Sequence, residues 1–267
     1  MRPWAPREYG QYSAMHPLIA SLYAAALQFG VGALVATLLS DWLAEVTPGF
    51  LRQGALVALS GAGLAYLLVG GGAPAERWAA LALLLLTLAY TAFQFVGSRG
   101  PRLALGAFGA LAGVAGVLLA AWARPSPSLG PAWTALAGVA SALALGTSVT
   151  ALVLGHWYLV TPRLSARPLR RLCDLAIGSL VVLSGFALWY VLVNPDATAF
   201  GPNVPVFRWA GFVAVTLFPI GVTVAARRCC DEWPRGRAIQ AATGLLYITA
   251  ALVLTGALAG NMVLLTG

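Results

Sequence analysis

Residues 133–171 read WTALAGVASALALGTSVTALVLGHWYLVTPRLSARPLRR. From Trp133 to Val160 the stretch holds no Asp, Glu, Lys or Arg. It is longer than the roughly 20 residues a helix needs to cross the hydrocarbon of a bilayer. Four arginines, Arg163, Arg167, Arg170 and Arg171, follow directly. An apolar run that ends in clustered arginine predicts a transmembrane helix leaving on the cytoplasmic side.

The rest of the chain has the same character. Hydrophobic residues make up 60% of the 267 and charged residues 9%, and the mean hydropathy is +0.84. A soluble domain carries about a quarter charged residues, so this chain lacks the polar groups to coat a water-exposed surface. The net charge of +8 comes from arginine alone, since there is no lysine. Scattered among loops, those arginines set topology and form no nucleic-acid surface.

Eight apolar segments stand out, at roughly 17–39, 54–72, 78–97, 103–122, 133–160, 173–194, 207–226 and 238–265. Only helices or closed barrels satisfy their backbone in lipid, and runs this long without alternation are helices. The sequence therefore predicts an all-α fold: a polytopic transmembrane bundle of about eight spans with short loops. Residues 1–16 form a short external segment, and 17–267 a single membrane domain. No cleavage site interrupts the first apolar run, which reads as a retained helix.

The loops after spans one, three, five and seven, here the odd loops, carry eleven arginines: Arg52, Arg99, Arg102, Arg163, Arg167, Arg170, Arg171, Arg227, Arg228, Arg235 and Arg237. The other side carries five, Arg2, Arg7, Arg77, Arg124 and Arg208. The excess places the odd loops in the cytoplasm and both termini outside, in a bacterial inner membrane. Trp42, Trp78, Trp122, Trp133, Trp157, Trp209 and Trp233 fall near span ends, where indoles settle at headgroup level. Glycines 106, 109, 113 and 116 share one face of the fourth span, while Gly178 and Gly185 lie a heptad apart in the sixth. Small residues of this kind let helices approach closely. Eight spans allow a four-plus-four repeat, yet no echo between the halves stands out.

Polar groups inside spans are the default functional candidates. His156 is the one histidine within a span, with Trp157 and Tyr158 after it and Arg163 beyond. A neutral imidazole at the edge of the apolar zone can ligate a haem b iron or bond a quinone carbonyl. Adjacent rings can stack on a quinone, and arginine favours an anionic group. These four residues are the candidate cofactor contacts, and Arg167, Arg170 and Arg171 the candidate contacts to lipid or a partner. An interfacial histidine reaching for headgroups has the same signature. His16 sits at the opposite end of a span, about 30 Å away, so the two histidines cannot share one haem. Gln28, Thr87, Thr91, Gln94 and Asn261 are the remaining polar groups in spans, and Pro219 should loosen the seventh.

No catalytic acid pair, nucleophile elbow, phosphate loop or metal-ligand spacing is present, and Cys173, Cys229 and Cys230 lie at odd-loop ends. The expected role is a membrane subunit of a larger assembly, redox or respiratory, surrounded by lipid and other membrane subunits. The alternative is a transporter of a neutral or lipid-like solute with Gln28, Gln94 and Pro219 along its path.

Overall fold

The computed structural model describes residues 16–43, 46–96, 98–126, 129–161, 164–193, 213–232 and 237–266. Within these the chain is helical: α1 Pro17–Leu43, α2 Pro48–Leu68, α3 Pro74–Val96, α4 Arg99–Ala123, α5 Gly130–Val160, α6 Arg167–Val193, α7 Phe218–Asp231 and α8 Ala238–Thr266. Seven of the eight, all but α7, are long and apolar enough to cross a membrane. A π-helical turn, Val213–Leu217, runs straight into α7, so that Pro219 falls in the first turn of α7 and the ladder is irregular just before it. Arg163, Trp209, Trp233 and most of the external segment lie outside the described residues.

Several helices begin or end in residues that hydropathy assigns to loops. The start of α2 is the clearest case. Thr47 caps it by accepting a hydrogen bond from the Phe50 amide at 3.4 Å, and Pro48 occupies the first position, where its missing N–H costs nothing. Likewise α1 continues through Asp41, α4 starts at Arg99 and α6 at Arg167. For α2 the cap, and not the first apolar residue, sets the boundary.

The packing falls into two rings of four. In one, α1 packs on α2 and α4, and α3 on both α2 and α4; in the other, α5, α6, α7 and α8 repeat that pattern. The rings join through α1 and α5, with α4 against α5 and α8 against α1 on either side. Exchanging the two halves leaves these principal neighbours unchanged. At the junction of the halves Gly32 and Gly146 meet backbone to backbone: a Cβ on Gly32 would strike the Ala142 carbonyl, and one on Gly146 the backbone of Gly32. Glycine is needed where helices cross this closely.

The crossing supplies a register that the sequence alone did not. Gly32 and Gly146 are 114 residues apart, and the same spacing relates Val35 to Val149, Leu38 to Leu152 and Val46-Thr47-Pro48 to Val160-Thr161-Pro162. The chain thus carries a four-plus-four echo, concentrated where its halves touch.

The central helices α1 and α5 are the most buried, and their inward faces are Ala, Gly, Ser and Thr with a few Leu and Val. The glycine stripe of α4 lies on α1 as its spacing predicts, Gly106 under Leu38, Gly109 under Leu34, Gly113 under Val31 and Gly116 under Leu27. Gly178 and Gly185 differ. No heavy atom lies within 4 Å of a Cβ built on either, because α6 turns that face outward. Trp42, Trp78, Trp122, Trp133 and Trp189 are exposed at helix ends, and Trp133 stacks on Trp189 at 5.9 Å.

Candidate functional site

Consecutive residues of a helix point about 100° apart, and this separates the His156 group. His156 is exposed, directed away from the bundle. Trp157 is half-buried with its ring over Gly49 of α2. Tyr158 is fully buried, and its hydroxyl donates to the Ser165 carbonyl, tying the end of α5 to the approach to α6. The three side chains thus diverge around the helix, and Arg163 lies outside the described residues. The His156 side chain is thus open to whatever lies outside the bundle. His16, at the far end, accepts a hydrogen bond from the Leu18 amide at 3.3 Å through Nδ1, a helix-start contact.

The arginines that follow also divide. Arg170 pairs with Asp231 of α7 at 3.0 Å, while Arg227 bridges Asp174 at 3.0 Å and Asp231 at 2.5 Å. This exposed four-residue network joins α6 to α7, and the Asp174 carboxylate raises the Arg227 guanidinium further above its usual range. Arg167 and Arg171 lie one turn apart on α6, both exposed, and Arg171 lines a cleft beside the end of α1.

Two carboxylates that composition places at loop edges prove to be interior groups. Asp41 is 2% exposed. Arg102 donates to both its oxygens, Nε to Oδ2 at 2.8 Å and Nη2 to Oδ1 at 2.6 Å, and the Tyr90 hydroxyl donates to Oδ2 at 3.4 Å. Arg99 caps the end of α1 by donating to the Asp41 and Trp42 carbonyls at 3.3 and 2.9 Å. At the opposite face Glu76 is 1% exposed. It is held by Arg124 and accepts from the Ala73 amide at 2.9 Å, with Arg124 lying 5.4 Å over the Tyr23 ring. One ring of four is therefore fastened at both ends by a Tyr, a carboxylate and an Arg. The only sequence signal was arginine at i and i+3 (Arg99, Arg102) entering α4 beside an acidic end of α1.

Between these clamps the polar side chains form two separate groups. Gln28 and Asn261 exchange amide hydrogen bonds at 3.1 and 3.0 Å, and Ser141 donates to Gln28 Oε1 at 3.0 Å. The trio ties α1 to α5 and α8, and it places the start of α1 and the end of α8 at one face of the bundle. Gln94 lies in the first ring, 4% exposed, with neither amide atom hydrogen-bonded among the described residues. Thr91 donates to the carbonyls of Thr87 at 2.7 Å and Ala55 at 3.4 Å. Gln28, Gln94 and Pro219 thus belong to three different helix interfaces and outline no single path. Among the described residues no three His, Cys, Asp or Glu side chains are grouped as metal ligands.

Comparison with known protein families, with curated proteins and with solved structures finds no match to this chain.

Proposed function

We propose that this chain is a non-catalytic membrane subunit that receives a helix of another membrane chain along α6. The observation that carries the reading is the outward notch at Gly178 and Gly185, one heptad apart on the span with the smallest buried share. Lipid tails gain nothing from such a notch, whereas a second helix gains close backbone approach. The interior supports the same role, since its buried carboxylates Asp41 and Glu76 are committed to arginine pairs that fasten helices. His156, exposed at the odd-loop end, would serve a redox or respiratory assembly by meeting a haem or quinone that the partner carries. The odd loops face the cytoplasm on this reading and both termini lie outside, as the arginine excess directs.

The test is assembly. In native membranes solubilised gently, the wild-type chain should migrate with a stoichiometric second membrane protein. The double substitution Gly178→Leu and Gly185→Leu should release it as a lone chain of unchanged thermal stability. A wild-type chain that is already alone, or a double variant that keeps its partner, would refute the subunit reading. For the redox setting, a reduced-minus-oxidised spectrum of the assembly should show a haem band that His156→Ala alters.

A further inference from the structure

Two neighbouring helices carry nearly the same five residues. Arg-Arg-Leu-Cys-Asp occupies 170–174 near the start of α6, and Arg-Arg-Cys-Cys-Asp occupies 227–231 at the end of α7. Each helix gives the first arginine of its motif to the aspartate of the other. Arg170 pairs with Asp231 and Arg227 with Asp174, both at 3.0 Å. The two pairs run in opposite order along the helices, so α6 and α7 are antiparallel and the motifs face each other in register.

That register brings Cys173 and Cys230 together, 0% and 4% exposed, in one cluster with Leu169, Leu172 and Ala226. Their sulfurs are in contact: the Cys173 thiol donates a hydrogen bond to Cys230, and Cys230 donates to the Ala226 carbonyl at 3.5 Å. Burial as a small hydrophobe accounts for either cysteine alone. It does not account for a facing pair, each set three residues after an arginine that binds the opposite helix. Thiolate is the reactive form of cysteine, and cationic surroundings favour it. The hydrogen bond from Cys173, with Arg227 and Arg170 close by, holds the Cys230 thiol below its ordinary pKa. Cys230 also lies in the last turn of α7, between half-buried Cys229 and exposed Asp231. A water-sized oxidant therefore has a short way in.

We propose that Cys173 and Cys230 are a redox-active dithiol, a modification site that a small hydroperoxide closes to a disulfide. The Cys230 thiolate attacks one peroxide oxygen and breaks the O–O bond, which leaves a sulfenic acid on Cys230. The departing oxygen takes up the proton that Cys230 released and leaves as an alcohol, or as water from hydrogen peroxide. The Cys173 sulfur then displaces the sulfenic oxygen, which carries off the Cys173 proton as water while the S–S bond forms. One hydroperoxide gains two electrons and the two thiols lose two. Sulfurs already in contact have only to close to the bonding distance of about 2.05 Å. In a reducing cytoplasm the dithiol is the resting form, and the disulfide ties the end of α7 to the start of α6 when peroxide rises. The site uses neither His156 nor the Gly178 and Gly185 notch, so it stands independently of the subunit role.

The test uses the full chain, purified in detergent under reductant, desalted and treated with hydrogen peroxide. Free thiols should fall from three to one, the intact mass should drop by two hydrogens, and dithiothreitol should restore both. A non-reducing tryptic map should join peptide 172–208 to peptide 229–235. The same junction should form in Cys229→Ser and be lost in Cys230→Ser. In Cys173→Ala, which cannot resolve the intermediate, dimedone should label Cys230 as the trapped sulfenic acid. Three thiols that persist, a junction that needs Cys229, a bond formed only between two chains, or dimedone labelling confined to Cys229 would each overturn the assignment.

Discussion

Asp41 has both carboxylate oxygens held by one guanidinium in the interior of a membrane bundle, and breaking such a pair leaves a charge with no solvent. Arg102→Leu should therefore cost about 3–5 kcal/mol, read as a fall in the unfolding midpoint in mild detergent. The double substitution Asp41→Leu and Arg102→Leu should recover most of that loss, because no charge is stranded. If the single and double variants prove equally stable, the pair does not fasten α4 to α1. A second cycle, on Gln28→Leu and Asn261→Leu, should give a coupling of about 0.6–2 kcal/mol, the range of interhelical hydrogen bonds in lipid. Additive losses would mean that the amides do not bond each other. At this scale the sequence was a partial guide. Gln28 and Asn261 were visible as polar residues in apolar runs, but Asp41 and Glu76 were not, since a hydropathy window stops at the first charge. The His156 group was visible too, yet its adjacency in sequence concealed that successive side chains diverge around a helix.

At the scale of the element, the two sets of glycines make opposite predictions. Gly32 faces the Ala142 carbonyl with no room for a methyl group, so Gly32→Ala should destabilise the fold by about 1–3 kcal/mol, the cost of overpacking, and lower the yield of inserted protein. Gly185 faces open space, and Gly185→Ala should leave the thermal midpoint of the isolated chain unchanged. A neutral Gly32→Ala would show that α1 and α5 do not cross as closely as described. All seven long spans are legible from apolar length, because the bilayer sets a minimum that no loop here reaches. Their ends were not. The capping of α2 by Thr47 depends on turn chemistry within a few residues, and the helical start at Arg167 moves Arg170 from a loop into a pair with Asp231. A heptad of small residues could not say by itself whether it faced in or out. The α4 stripe faces α1, whereas Gly178 and Gly185 face away.

For the whole molecule, the bundle reads as two four-helix rings fused through their first helices. The first ring is clamped by buried Tyr-carboxylate-Arg groups at both faces, and the second is fastened by the exposed Arg170, Asp174, Arg227 and Asp231 network at one. The repeat was illegible in sequence because apolar helices drift freely wherever they touch lipid; the constrained crossing at Gly32 and Gly146 kept its residues, and so did the Val-Thr-Pro sequence after it. This fusion makes the first and last helices neighbours: Gln28 and Asn261 lie 233 residues apart in the chain and within 3.1 Å in space. The most direct measurement replaces the three native cysteines, introduces Gln28→Cys and Asn261→Cys, and treats native membranes with a short thiol-specific cross-linker. The fold described here predicts an intramolecular cross-link that holds the two halves together after cleavage in the α4–α5 loop. Halves that separate on the gel would contradict it.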